Sequence, residues 1–192
     1  MNRLDALRVI DDVYAEHPLV MTCGAASREL ASFARRDSHL YLLDSMGLAG
    51  AIGLGLALAG AQPVAAVEGD GSLLMGLSVV ASIAHHRPPG LALIVLDNGE
   101  HASAARMPTQ ATTVDLAGVC RGAGIETVEV ADAEALRAAL LEARDVGRLV
   151  AIVVRIEGGN APDIPLLLED PAAIAIRFTA FLRETHDTAV SA

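Results

Sequence analysis

Apolar residues along the chain fall into two patterns. Short continuous apolar runs occur at LVMT (19–22), LYLL (40–43), PVAAVE (63–68), LALIVL (91–96), ETVEV (126–130) and LVAIVVRI (149–156). Runs of this length, bounded by turn-forming residues, read as strands buried on both faces. Between them the apolar spacing is helical, near 25–36, 47–60, 72–86, 113–123 and 132–145, with terminal helices near 2–16 and 171–185. Strands alternating with helices predict an α/β fold: a doubly wound, mainly parallel six-stranded sheet with helices on both faces. In such sheets ligands sit outside the carboxyl ends of the strands, where the strand order reverses. The loops of interest are therefore CGAAS, DSMGLAG, GDGS and DNGEHASAARMPTQ, which follow the first four strands.

The 192 residues fit one domain, 1–192, and contain no internal repeat or low-complexity tract. The Pro/Gly-rich stretch EGGNAPDIP precedes the last helix, so 157–192 reads as a C-terminal docking tail. Residues 46–67 carry no charge and approach the length of a membrane span. Five glycines, Pro63 and the acidic residues at both flanks predict instead a buried helix, a turn at Ala61–Pro63 and a buried strand. The N-terminal segment has charges throughout, which reads as an amphipathic helix rather than a signal peptide.

Composition narrows the chemistry. The chain is 53% hydrophobic but only 3% aromatic, so its core is aliphatic and exceeds what a monomer readily hides; self-association is expected. A net charge of -10 with no basic stripe argues against nucleic acid or an anionic membrane as partner. All fourteen basic residues are arginine, which removes Schiff-base lysines and the phosphate-loop lysine together. Cys23 and Cys120 have no paired spacing, so no disulfide framework or cysteine metal site is indicated, and a reducing cytoplasm fits best.

The GDGS loop poses an electrostatic problem. Gly69 and Gly71 permit close backbone approach and Ser72 opens a helix, which together suit an anion. Asp70 repels that anion unless a divalent cation lies between them, as magnesium does in diphosphate sites. A second oxygen donor is expected from the end of the next strand, where Asn98 stands, with a main-chain carbonyl of the following loop as the third. Gly-Asp-Gly alone, or Asn-Gly alone, is an ordinary turn. Their placement at two successive strand ends is what singles out a metal-diphosphate.

GDGS followed by LDNGEH resembles the motif of thiamine-diphosphate-dependent enzymes, and the likeness to their diphosphate-binding (PP) domain runs through nearly the whole chain. The resemblance implies that Asp70, the Asn98 side chain and the Glu100 carbonyl ligate Mg2+, and that Gly69, Gly71 and Ser72 meet the diphosphate. DSMGLAGAIGLGLALAG resembles the segment that supports the bent cofactor, with Met46 as the apolar prop and Asp44 and Met46 main-chain atoms at the aminopyrimidine. Gly24 falls at a further diphosphate contact, with Ser27 a weaker candidate, whereas Cys23 reads as a small buried residue.

By size and by DNG…PTQ, the likeness is to the small (beta) subunit of sulfopyruvate decarboxylases and the C-terminal half of phosphonopyruvate decarboxylases. That implies decarboxylation of a small anionic 2-oxo acid to an aldehyde. The glutamate that activates the cofactor has no matching motif here, which implies a separate pyrimidine-binding (alpha) subunit supplying it. The loop after Asn98 departs from those relatives: His101 replaces an aromatic residue, and Arg106-Met107 replace Gly-Gln. His101 is the candidate proton relay and Arg106 the candidate partner for a sulfonate or phosphonate; a solvated side chain is the alternative for both. His85-His86-Arg87 reads as a cationic helix end. A thiamine-dependent carboligase or other lyase subunit, and a non-catalytic subunit that keeps the fold, remain open. A nicotinamide-binding enzyme is the nearest rival of another class; against it, Gly50, Gly53 and Gly55 lie inside the expected helix and miss the G-x-G-x-x-G spacing.

Overall fold

In the computed structural model, residues 1–190 are described, with side chains through residue 185. Six parallel strands form one sheet: β1 (Leu19–Met21), β2 (His39–Tyr41), β3 (Val64–Gly69), β4 (Leu91–Asp97), β7 (Thr127–Val130) and β8 (Val150–Arg155), in the order β2-β1-β3-β4-β8-β7. The order reverses between β1 and β3, which places the switch point at their carboxyl ends. A short antiparallel hairpin of β5 (Glu100–His101) and β6 (Met107–Pro108) rises from the loop after β4 and was not anticipated.

The continuous apolar strands sort by alternate residues into two cores. Ala92, Ile94 and Leu96 of β4 join one cluster, with Leu7 and Ile10 of α1 (Arg3–Tyr14), Leu30 of α2 (Ala25–Phe33), Leu136 and Leu140 of α7 (Ala133–Val146) and Ile174 of α8 (Pro171–Val190). Leu91, Leu93 and Val95 face the other, with Leu54 of α3 (Ala49–Leu58), Ile83 of α5 (Ser78–His86) and Cys120 of α6 (Leu116–Gly122). A period-2 backbone between two helical layers produces this division. Helix α3 lies close on the sheet because Gly53 has no side chain: a Cβ there would fall 2.7 Å from that of Ala66.

Several predicted boundaries shift. The second strand ends at Tyr41 rather than 43: Leu42 N–H reaches the Met21 carbonyl at 3.0 Å, and the next residue of the first strand, Thr22, donates its N–H to Val67 of β3 on the other side. The expected helix 72–86 is two helices, α4 (Asp70–Met75) and α5, broken at Gly76, where the backbone sits on Gly47. The helix expected at 113–123 becomes a 3-10 turn at Gln110–Thr112 followed by α6, whose start is set by the Asp115 carboxylate capping Gly118 N–H at 2.9 Å. His85 and His86 close α5, and Arg87 beyond them is left-handed. Residues 157–161 return to the first two helices and the loop after β4, and α8 packs beside β2, with Ile174 and Phe178 buried. Among the described residues, no helix is long and apolar enough to cross a membrane.

Candidate functional site

A cavity of about 330 Å³ opens at the switch point. It is lined by Gly24, Asp44, Met46, Gly69, Asp70, Gly71, Ser72, Asn98, Glu100 and His101, which are the ten residues expected from the sequence. The topology explains the convergence. Gly24 follows β1, Asp44 and Met46 follow β2, Asp70 follows β3 and Asn98 follows β4; the register pairs Gly69 with Leu96, so Asp70 and Asn98 leave the sheet on adjacent strands.

Asp70 is buried, and Thr109 Oγ1 donates to its Oδ2 at 2.6 Å. No donor among the described residues takes Asp70 Oδ1. Asn98 Oδ1 accepts the Glu100 N–H at 3.1 Å in a local turn that fixes its side chain beside the cavity. The Glu100 carboxylate turns away, accepting from Gly159 N–H at 2.5 Å and from Arg106 Nε at 3.0 Å. The Gly159 N–H, then Arg106, hold that carboxyl below the usual range. This leaves main-chain oxygen as the donor Glu100 can offer. Among the described residues no group of three His, Cys, Asp or Glu could hold a metal. One carboxylate, one amide oxygen and a carbonyl are a sparse, hard-oxygen donor set, which fits Mg2+ bound largely through a ligand's phosphates and disfavours zinc.

The anion side is built from backbone. Helix α2 begins after Gly24, whose φ of 82° favours glycine, with no side-chain cap, and Gly24, Ala25 and Ala26 line the cavity. The first N–H groups of a helix lack intrahelical acceptors. Ser72 contributes differently from expectation. Its hydroxyl donates to Glu68 Oε2 at 2.5 Å, accepts the Gly47 N–H at 2.8 Å and lies 2.8 Å from Thr22 Oγ1. Only its main-chain N–H remains for a ligand. Ser27 does not line the cavity; its hydroxyl ties Thr22 and Leu42 carbonyls together behind it.

Glu68 was not singled out in the sequence and is fully buried. It accepts from Ser72 and from Gly50 N–H at 2.9 Å, and so joins the loop carrying Met46 to the turn carrying Asp70. Burial pushes its carboxyl up, against these hydrogen bonds. The visible signal was an acid closing an otherwise apolar strand. Thr109 lay within a motif already noted, without a role. Met46, the expected apolar prop, is 36% exposed at the cavity wall, so it is not core filler. The His101 ring packs over Gly71, where a Cβ would collide with it, and lines the cavity. Arg106 is not brought there: left-handed backbone at Ala105 and Arg106 turns it outward, 64% exposed, onto Glu100. Cys23 lines the cavity half-buried, and burial pushes its thiol up, away from the reactive thiolate.

Residues 22–154 match the family model described as thiamine pyrophosphate enzyme, C-terminal TPP binding domain. The chain is 36% identical over 189 residues to a phosphonopyruvate decarboxylase of Streptomyces viridochromogenes, covering 94% of this chain and 46% of the relative. It thus spans about half the length of that protein. It is 35% identical over 183 residues to the sulfopyruvate decarboxylase subunit beta of Methanothermobacter thermautotrophicus, covering 95% of this chain and 96% of the relative. Among solved structures, the benzoylformate decarboxylase of Polynucleobacter necessarius superposes with a TM-score of 0.68 at 20% identity, over 79% of this chain and 32% of that one, a likeness of fold.

Proposed function

Since the chain belongs to the thiamine pyrophosphate enzymes through their C-terminal TPP binding domain, we propose that it is the Mg2+- and diphosphate-binding subunit of a heteromeric 2-oxo acid decarboxylase. The observation that carries this reading is the meeting of Asp70 and Asn98, from adjacent strands, in one cavity whose other wall holds Asp44 and Met46. Asp70 Oδ1, Asn98 Oδ1 and the Glu100 carbonyl hold the metal, while main-chain N–H groups at Gly24, Gly71 and Ser72 meet the diphosphate. When bound, thiamine diphosphate supplies the electron sink that lets a 2-oxo acid lose carbon dioxide. Met46 props the cofactor, and His101 moves a proton to the carbon that the carboxylate leaves.

A separate pyrimidine-binding subunit supplies the activating glutamate and the rest of the substrate pocket. Two observations support a partner. The chain matches 96% of a named beta subunit but only 46% of the phosphonopyruvate decarboxylase. Beside the cavity, Met46, Leu48 and Met75 are exposed at 36%, 47% and 66%, an apolar surface of the kind that a subunit covers. Copies of the resulting pair associate further. The substrate is a small anionic 2-oxo acid of the sulfopyruvate or phosphonopyruvate type, and both cysteines are free thiols, which fits the cytoplasm.

The test is to isolate the native complex, identify the companion chain, and assay the pair with sulfopyruvate and phosphonopyruvate plus thiamine diphosphate and Mg2+. The reading predicts carbon dioxide and an aldehyde only when both chains are present. Carbon–carbon coupling as the main outcome gives the subunit to a carboligase, and full activity of the companion without this chain makes it a scaffold.

A further inference from the structure

Arg3 stands at the first position of α1, where the helix dipole disfavours a cation. It is nonetheless 94% buried, at 6% relative exposure. Its Nε and Nη2 clasp Glu29 at 2.9 and 2.7 Å, and Nη2 also donates to Asn160 Oδ1 at 2.7 Å. No acceptor among the described residues takes the protons of Nη1. Arg3 lines the cavity and is the one arginine that does so. A buried guanidinium with open donors beside a cavity calls for an oxyanion.

Its anchors indicate which end of the cavity it serves. Glu29 lies one turn into α2, whose start lines the cavity, and it also accepts the Ala161 N–H at 3.0 Å. Asn160 Nδ2 donates to Ala102 O at 3.1 Å, holding the loop that carries Asn98 and Glu100. The loop carrying Asp44 and Met46 is tied elsewhere, through Ser72 and Gly76. Arg3 is thus framed by the elements assigned to metal and anion.

We propose that Arg3 is an oxyanion-binding residue of this site, its Nη1 receiving the terminal phosphoryl oxygens of the bound diphosphate, with Glu29 and Asn160 fixing the fork. The assignment rests on the diphosphate reading above. It gives the site one fixed positive charge in addition to the metal and places that charge on the first helix, far in sequence from the loops that carry the family motif. Planar, hydrogen-bonded arginine suits a phosphoryl group better than a mobile cation does. The same chemistry would suit the sulfonate or phosphonate end of a substrate; the anchors favour the diphosphate.

The experiment is calorimetric titration of the full chain with Mg2+ and inorganic pyrophosphate, with circular dichroism and thermal melting of every variant. Arg3→Gln should bind the probe roughly tenfold more weakly or worse, as loss of a charge-assisted hydrogen bond implies. Glu29→Gln keeps the Oε1 acceptor shared by Arg3 Nη2 and the Ala161 N–H, so the fork stays placed while the opposing charge is removed; it should bind at least as tightly as the unaltered chain. The double variant Arg3→Met, Glu29→Gln strands no buried charge, so it tests the loss of binding where the single variant folds poorly; it should bind as weakly as Arg3→Gln. Unchanged affinity in the Arg3 variants overturns the proposal, as does a parallel loss in Glu29→Gln, the mark of a purely structural pair. If pyrophosphate binding is intact and only the binding of sulfoacetate, titrated in parallel as a sulfonate probe, weakens, the diphosphate assignment falls and Arg3 belongs to the substrate. Failure of the unaltered chain to bind the probe would instead remove the diphosphate reading itself.

Discussion

Thr109 Oγ1 donates to Asp70 Oδ2 at 2.6 Å across 39 residues of chain. One carboxylate oxygen is thereby fixed and the other left for a ligand. Thr109→Val keeps the shape and removes the donor, leaving a buried oxygen without a partner. The expected cost is about 1–2 kcal/mol of stability, with a severalfold rise in the Mg2+ concentration needed for half-maximal cofactor binding. A Mg2+ titration followed by cofactor fluorescence or calorimetry checks this. An unchanged midpoint would mean that Asp70 is oriented by something else.

Glu68 does not line the cavity, yet its hydrogen bonds to Gly50 and Ser72 join two of the segments that do. Glu68→Ala leaves the Gly50 N–H unpaired in a buried place and the Ser72 hydroxyl with only Thr22 Oγ1 to receive its proton, a loss of about 1–3 kcal/mol. Thiamine diphosphate binding should weaken with it. Glu68→Gln retains an acceptor for Gly50 and can donate to Ser72, so it should recover most of both properties. Full cofactor affinity in the alanine variant, measured by calorimetry, contradicts the positioning role.

The break between α4 and α5 depends on two backbones in contact. A Cβ at Gly76 would lie 2.8 Å from Gly47 Cα and collide with the Gly47 carbonyl. Backbone gives way less readily than a side-chain end, so Gly76→Ala should cost about 1–3 kcal/mol and displace the Met46 loop. Gly55 is the contrast. It lies within α3 and a Cβ there meets nothing, so Gly55→Ala should stabilise the isolated chain by about 0.5–1 kcal/mol. Urea denaturation of the two variants should move in opposite directions; movement in the same direction refutes the contact argument.

His39 supplies a pH dependence away from the cavity. Burial, opposed by Asp11 at 3.7 Å and reinforced by Arg36, pushes its pKa down to about 4, and Tyr41 is its hydroxyl neighbour. Between that value and the ordinary 6.5, the unfolded chain binds a proton that the folded chain does not. Stability therefore falls as pH drops from about 6.5 to about 4, by up to about 3 kcal/mol from this group. Denaturant midpoints across that window should show the fall, and His39→Gln should remove most of the difference. Equal slopes in the two proteins contradict the assignment.

The fold was legible because its signals are local. Six apolar runs, bounded by turn residues, announced six strands, and only their ends moved. The cavity was legible because GDGS and DNG each follow a strand, so topology delivers Asp70 and Asn98 to the same edge. What escaped either carries no local pattern or depends on contacts far apart in sequence. The hairpin at Glu100–His101 and Met107–Pro108 lies in a loop of small residues with no strand pattern. The split at Gly76 is set by Gly47, 29 positions earlier, and the burial of Arg3 by Glu29 and Asn160. Arg106 looked like an anion receptor by loop position alone, but its pairing with Glu100 turned it outward.

The central claim is that Asp70 and Asn98 hold a divalent cation that in turn holds a diphosphate. The most direct measurement is calorimetric titration of thiamine diphosphate into the full chain, alone and with its co-purified companion, with Mg2+ and with the ion chelated. Binding should require the ion and should be lost in Asp70→Asn and Asn98→Ala, with folding intact. Uptake that is equally strong without Mg2+, or that survives both substitutions, would contradict it.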